Sequence, residues 1–146
     1  MLDTLDVFVH DGGHTPVRAH ETDAGLDLFT TNDVIVTRWE TTMADLGVSV
    51  AIPAGYVGLL VERSSTHTLG VGLDNKAGVI DPEYRGVLKA PLGITGKRDT
   101  VLIPGGTKLV QLLVVPVATP AVNLVNNPED LGTTARGAGG FGSTNQ

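Results

Sequence analysis

Cysteine is absent from the 146-residue chain, which excludes a disulfide framework, a thiolate nucleophile and a thiolate zinc site. Aromatic residues form only 4% of the sequence, so the core is expected to be aliphatic. No segment approaches the roughly 20 apolar residues of a membrane-spanning helix, and the first ten residues lack the basic start of a signal peptide. A soluble, cytoplasmic protein with no membrane partner is therefore expected.

Positive charge is also scarce. Ten Lys and Arg residues stand against 16 Asp and Glu residues, for a formal net charge of −6. Nucleic acid is therefore not an expected partner, since its binding depends on clustered positive charge. A small anionic ligand is compatible with this composition only if its positive contacts are few and local.

Glycine and proline are abundant, with 19 and 8 residues, and β-branched residues are frequent. This mixture predicts one all-β domain of short strands and tight turns, closed or folded as a double sheet. A short helix is expected over 64–69, beginning at Ser64 or Ser65 and ending at Gly70. The predicted strands cover residues 7–9, 26–29, 34–37, 46–52, 56–61, 78–81, 84–88, 99–103, 108–115 and 117–125.

The apolar pattern stops at Asn126, and residues 136–146 are rich in glycine. Such a tail cannot bury a core and is expected to be flexible by itself. Its Arg136, its single phenylalanine and its backbone N–H groups would suit closure over a phosphorylated ligand. A formal G-x-G-x-x-G match within it does not indicate a Rossmann fold, because no strand leads closely into it.

Two other segments combine polar residues with turn signals. In residues 62–66 (ERSST), backbone N–H groups, hydroxyls and Arg63 can meet phosphate oxygens, although a capped helix with a surface ion pair explains them equally well. Residues 78–86 (GVIDPEYRG) are expected to form a hairpin. There Asp81 can polarise an attacking water and Tyr84 can offer a flat face to a base or sugar, although an ordinary hairpin with an Asx-type turn also accounts for both residues. The four histidines match no metal-binding spacing.

Five segments, taken in their order, resemble the five motifs of the homotrimeric dUTPase family (deoxyuridine triphosphate nucleotidohydrolases). They are 23–28 (DAGLDL), 62–65 (ERSS), 78–86 (GVIDPEYRG), 108–113 (KLVQLL) and 136–144 (RGAGGFGST). The resemblance implies a jelly-roll-like β-barrel domain over 1–125 with one short helix, and a flexible C-terminal arm over 126–146. It also implies a trimer with three sites at subunit interfaces, and hydrolysis of dUTP to dUMP and pyrophosphate with Mg²⁺.

The same resemblance implies a role for each motif residue. Asp81 is the expected catalytic carboxylate, which activates the water that attacks the α-phosphorus. Tyr84 is expected under the deoxyribose, and the backbone from Asn75 to Gly78 is expected at the edge of uracil. Asp27 is expected to hold Mg²⁺ through its water shell. The other substrate-binding residues that the resemblance implies are Arg63, Ser64, Ser65, Lys89, Gln111, Arg136, Phe141, Gly142, Ser143 and Thr144.

Three positions depart from the family pattern. Ser65 replaces a glycine beside the phosphates, Val87 replaces a glutamate, and Lys108 replaces an arginine. The serine adds a side chain but keeps the backbone donor, and the valine removes a supporting polar contact.

Two alternatives stay open. A dCTP deaminase of the same fold is the nearest, because residues 63–65 (RSS) and 80–82 (IDP) also resemble that family. Residues 88–92 (LKAPL), however, contain no glutamate to serve as its deaminating group. A non-enzymatic regulatory or structural jelly-roll protein is the second alternative, since one fold hosts many functions.

Overall fold

Short antiparallel strands form nearly all of the regular secondary structure in residues 2–140, the part of the chain that the structure, a computed structural model, describes. The eleven strands in this part are β1 (Asp6–Val9), β2 (Leu26–Phe29), β3 (Val34–Thr37), β4 (Thr42–Asp45), β5 (Val48–Ala51), β6 (Tyr56–Glu62), β7 (Val71–Leu73), β8 (Gly78–Ile80), β9 (Lys89–Ile94), β10 (Thr100–Ile103) and β11 (Lys108–Pro116). Two 3₁₀-helices, Thr66–Leu69 and Pro128–Leu131, complete the secondary structure of these residues. The all-β prediction is confirmed.

The strands form four antiparallel sheets. The largest has the order β2-β11-β6-β8, and a three-stranded sheet has the order β4-β9-β7. Two further pairs, β1 with β5 and β3 with β10, complete the set. Successive side chains along each strand point to opposite faces of its sheet. The apolar side chains on the inner faces pack together in one core.

The core is aliphatic, as the low aromatic content predicts. Every fully buried apolar residue among those described is Leu, Val, Ile or Ala, and Leu28, Leu60 and Leu112 are each about 1% exposed. These three lie on β2, β6 and β11, so the largest sheet is anchored at the centre of the molecule. Burial of one such side chain contributes about 1.5–3 kcal/mol.

The short helix begins and ends where the sequence predicts. Ser65 is its N-cap, and Gly70 ends it with a φ of 81°. That left-handed conformation costs glycine little, because glycine has no Cβ. None of the helices in residues 2–140 is long and apolar enough to cross a membrane.

Two predicted strands are wrong. Residues 84–88 form no strand. The chain turns at Asp81, whose carbonyl accepts the Tyr84 N–H, and β8 pairs with β6 rather than with a following strand. Residues 117–125 are also irregular, and Pro120 within them has no N–H to donate to a ladder. The sequence analysis also missed β4, β7 and β9, and it extended β5 to residues 46–52.

Candidate active site

Five predicted site residues line one cleft of about 350 Å³ beside β8, here called the β8 cleft. They are Asn75, Gly78, Asp81, Tyr84 and Lys89, and Met43, Leu60 and Pro91 add apolar wall. The β8 cleft therefore combines a carboxylate, an aromatic ring and an ammonium group against an apolar surface.

The turn after β8 holds Asp81 and Tyr84. The Asp81 carbonyl accepts the backbone N–H of Tyr84 at 3.1 Å, and the Tyr84 hydroxyl donates to the Val87 carbonyl at 3.1 Å. A Cβ at Gly86 would lie 2.6 Å from Tyr84 Cζ, so only glycine leaves the ring where it is. Both Asp81 and Tyr84 are exposed and accessible to a ligand.

Backbone groups form the edge of the β8 cleft. The strand β8 is the last strand of its sheet, so within residues 2–140 its outer edge has no ladder partner. Such an edge presents N–H and C=O groups to any extended or planar ligand. Asn75 lies in the preceding turn, where Lys76 has a φ of 65°.

A second cleft, of about 280 Å³, lies beside β2 and is here called the β2 cleft. Its lining includes four predicted residues, namely Asp27, Arg63, Ser64 and Gln111. Arg63 Nε donates to Asp27 Oδ1 at 2.7 Å, and Arg63 Nη1 lies 3.4 Å from the Ser65 hydroxyl. Ser65 is thus joined to this cleft through Arg63, although it does not line it.

The position of Arg63 follows from the turn that it starts. The buried Thr66 hydroxyl accepts the Arg63 backbone N–H at 3.2 Å and donates to the Leu109 carbonyl at 2.6 Å. This pair of bonds ties the end of β6 to β11. The guanidinium is therefore placed over β11 rather than left to sample solvent.

Gln111 owes its position to a glycine. Its Nε2 donates to the Glu62 carbonyl at 3.0 Å, and a Cβ at Gly25 would lie 2.9 Å from its Cδ. The glycine of the first motif thus provides the space in which the glutamine of the fourth motif lies.

Two carboxylates line the β2 cleft. The backbone N–H of His20, 2.9 Å from Asp23 Oδ2, lowers the pKa of Asp23, so this group stays ionised near neutral pH. Asp27 is 7% exposed and lies between two cations. Within residues 2–140 no three His, Cys, Asp or Glu side chains are arranged to hold a metal ion.

The two clefts of one chain are far apart. Asp27 pairs with Gln111, which pairs with Val61, whereas Ile80 pairs with Gly58. By that register Asp81 lies about four residues, or about 13 Å, from the level of Asp27 along the strands. In the sheet, β8 also lies three strand spacings, or about 14 Å, from β2. Together the two distances separate Asp81 from Asp27 by about 20 Å. One phosphate cannot contact both carboxylate sites of the same chain.

The C-terminal residues complete the comparison with the sequence. Arg136 is exposed, its Nε donates to the Gly139 carbonyl at 2.8 Å, and it lines neither cleft. The predicted site residues Phe141, Gly142, Ser143 and Thr144 lie outside the described residues.

Sequence reasoning assigned no site role to Lys108, although the structure places its Nζ 3.2 Å from Asp27 Oδ2. The available signal was its place at the start of the fourth motif-like segment, three residues before Gln111.

Comparison with known proteins agrees with these observations. The dUTPase family model matches residues 11–145. The deoxyuridine 5'-triphosphate nucleotidohydrolase of Paramecium bursaria Chlorella virus 1 is 42% identical over 130 residues, which cover 89% of each chain. The Staphylococcus bacteriophage 80alpha dUTPase with dUPNHPP superposes with a TM-score of 0.86 at 29% identity, over 97% of this chain and 98% of that one.

A second solved structure gives the same result. A mutant dUTPase from phage phi11 of S. aureus, described with a structural Mg(II) ion, has a TM-score of 0.78 at 30% identity, over 87% of this chain and 99% of that one. These matches confirm the jelly-roll-like β fold and favour the dUTPase resemblance over the deaminase alternative. The chain belongs to the dUTPase family.

Proposed function

We propose that this protein hydrolyses dUTP to dUMP and pyrophosphate, which limits uracil incorporation into DNA and supplies dUMP for dTTP synthesis. The observation that carries the proposal is the β8 cleft, where Asp81, Tyr84 and the edge at Gly78 lie together. Membership of the dUTPase family supports the activity. The related 80alpha enzyme with dUPNHPP supports the substrate.

Asp81 acts as the general base in this mechanism. Its carboxylate accepts a proton from water as the water oxygen bonds to the α-phosphorus, and the bond from that phosphorus to the bridging oxygen breaks. Pyrophosphate leaves and no covalent enzyme intermediate forms. The Asp81→Asn variant should therefore bind dUTP normally and lose a factor of about 10²–10⁴ in kcat; a variant with unchanged turnover would remove Asp81 from this role.

Base and sugar selection belong to the β8 cleft. The backbone between Asn75 and Gly78 pairs with the polar edge of uracil, where a thymine methyl would collide with main-chain atoms. Cytosine leaves donors and acceptors unpaired, which costs several kcal/mol of discrimination in a desolvated site. Tyr84 lies under the deoxyribose and leaves no room for a 2′-hydroxyl.

The phosphates belong to the β2 cleft. Arg63, Ser64 and Ser65 meet the α- and β-phosphates, and Gln111 adds a polar contact near the reacting phosphate. Lys89 adds positive charge from the β8 cleft. A chain with few Lys and Arg residues can therefore still bind a triphosphate, because only a few cations close to the phosphates are needed.

Mg²⁺ is the proposed cofactor, held by Asp27 through water. Both oxygens of Asp27 already contact cations, Arg63 Nε at 2.7 Å and Lys108 Nζ at 3.2 Å, so the donor set fits only an indirect contact. That suits Mg²⁺, which keeps several waters and leans on substrate phosphates. When bound, the ion supplies charge that neutralises phosphate oxygens. The phage phi11 relative is described with a structural Mg(II) ion, which supports the choice of Mg²⁺ as the metal.

The complete site is proposed to form in a homotrimer. Asp81 and Asp27 of one chain are about 20 Å apart, so the β8 cleft of one subunit must face the β2 cleft of another. Residues 1–125 form the body of each subunit, and residues 126–146 form an arm that closes over the site. In the closed arm, Arg136 reaches the γ-phosphate and Phe141 stacks on uracil.

Gly142, Ser143 and Thr144 in the same arm donate hydrogen bonds to phosphates. Closure excludes water and adds transition-state charge stabilisation. A cytoplasmic location and the absence of nucleic-acid and membrane partners stay predictions from the sequence.

A nucleotide panel tests the proposal directly. With Mg²⁺, the protein should release pyrophosphate from dUTP and little from dCTP, dTTP or UTP. Release of ammonia from dCTP would identify a deaminase instead. No turnover of any nucleotide would favour the non-enzymatic alternative.

A further inference from the structure

We propose that Lys108 is a positioning residue of the β2 cleft, which acts through Asp27 to hold Arg63 for the substrate phosphates. The inference rests on the proposed function, since it concerns the binding of the same triphosphate. It assigns a role to a side chain that departs from the family's arginine.

The contacts form a chain of alternating charges. Asp27 Oδ1 accepts from Arg63 Nε at 2.7 Å, and Asp27 Oδ2 lies 3.2 Å from Lys108 Nζ. The three side chains are 10%, 25% and 38% exposed for Asp27, Arg63 and Lys108. Each oxygen of the most buried member is thus assigned to one cation.

A β-bulge produces this arrangement. In the pairing of β11 with β2, Val110 lies opposite Leu28 and Lys108 lies opposite Phe29, so Leu109 is the extra residue. In a regular ladder, Lys108 would lie on the same face as the buried Val110, two residues away, and would point into the core. The bulge instead places Lys108 on the face of Asp27 and Gln111, with its Nζ 5.8 Å from the centre of the Phe29 ring.

The path of action runs through Asp27. Asp27 and Arg63 line the β2 cleft, whereas Lys108 is absent from its lining. The Lys108 carbonyl also accepts Arg63 Nη1 at 3.2 Å. Arg63 is therefore held at Nε and Nη1, and within residues 2–140 its Nη2 makes no hydrogen bond.

The position of Arg63 gives the expected consequence. With Lys108 present, the Asp27 carboxylate divides its attraction between two cations, and the Arg63 guanidinium stays where Nε and Nη1 are held. Without Lys108, Asp27 attracts Arg63 alone, and the guanidinium shifts from this position toward the released carboxylate oxygen. Binding of a polyphosphate should weaken, whereas the Asp81 chemistry in the other cleft should change little.

A double-mutant cycle in the full-length enzyme tests the inference. The variants are K108M, K108R, D27N and D27N/K108M, with K97M as a matched control, since Lys97 is an exposed lysine outside both clefts. Pyrophosphate release from dUTP gives kcat and KM, and thermal melting checks that each variant folds.

We expect K108M to raise KM for dUTP about tenfold with kcat nearly unchanged. K108R should keep the KM of the parent enzyme, and K97M should match the parent enzyme in both constants. In the D27N background, K108M should have no further effect. An undiminished effect of K108M in that background would show that Lys108 contacts substrate directly, and an unchanged KM in K108M would also overturn the inference.

A parent enzyme inactive on dUTP would contradict the proposed function instead. The same cycle is then measured by calorimetry with inorganic tripolyphosphate. The positioning role is supported if K108M binds tripolyphosphate more weakly than the parent enzyme while D27N/K108M binds it as well as D27N. Equal binding by all variants refutes it.

Discussion

Two inactive variants should complement one another when their subunits are mixed. Asp81→Asn removes the general base from the β8 cleft, and Arg63→Ala removes the phosphate-binding cation from the β2 cleft. The strand register places the two clefts of one chain about 20 Å apart. If each site takes one cleft from each of two subunits, a mixed oligomer contains some sites with neither substitution.

The recovered activity follows from random assembly. In an equal mixture, half of the β8 clefts and half of the β2 clefts are intact, so about one quarter of the sites are complete. Either variant alone leaves at most about 1% of parent turnover when its lost group contributes a factor of about 10² or more. Mixing should therefore raise activity by at least about 25-fold.

The assay unfolds both variants together, refolds them, and measures pyrophosphate release from dUTP. Refolded single variants are the controls, and differently tagged chains recovered together by affinity purification show that mixed oligomers formed. Light scattering should give three times the chain mass of 15.2 kDa. Mixed oligomers with no more activity than the single variants would refute sites shared between subunits.

Two substitutions and one deletion give further tests. Gly86→Ala should displace the Tyr84 ring, because the new Cβ would lie 2.6 Å from Tyr84 Cζ. The ratio of kcat/KM for dUTP to kcat/KM for UTP should then fall about tenfold. An unchanged ratio would contradict this role of the ring. Gly25→Ala should displace Gln111, break its bond to the Glu62 carbonyl at a cost of about 1 kcal/mol and reduce kcat/KM for dUTP. A Gly96→Ala control, where the new Cβ would lie 3.9 Å from the nearest atom, should leave kcat/KM unchanged. Deletion of residues 136–146 should leave the oligomer intact by light scattering and cripple dUTP hydrolysis; dissociation on truncation would show that the tail is structural.

Local patterns were sufficient where a strand's periodicity or a turn's chemistry is self-contained. The exact bounds of β2 and β3 were predictable from their apolar runs between polar turns. The end of the first 3₁₀-helix at Gly70 was predictable because only glycine adopts its φ of 81° freely. The motif residues Asp81 and Tyr84 were likewise predicted together, since four positions of one turn join them.

Long-range pairing decided what local patterns could not. Residues 84–88 and 117–125 have strand-like composition but form no strand, because neither segment pairs with a strand of residues 2–140 and Pro120 interrupts the second segment. The strands β7 and β9 were missed because their pairing joins segments about 20 residues apart. A strand needs a partner, and the partner is chosen by the whole fold.

The sequence by itself determined the aliphatic all-β character, the family motifs and the residue types of the site. Only the tertiary structure decided that those residues fall into two clefts about 20 Å apart, because strand order and register are set by contacts across the whole chain. Only the β-bulge at Leu109 decided that Lys108 meets Asp27, since one inserted residue moves a side chain from one face of a sheet to the other.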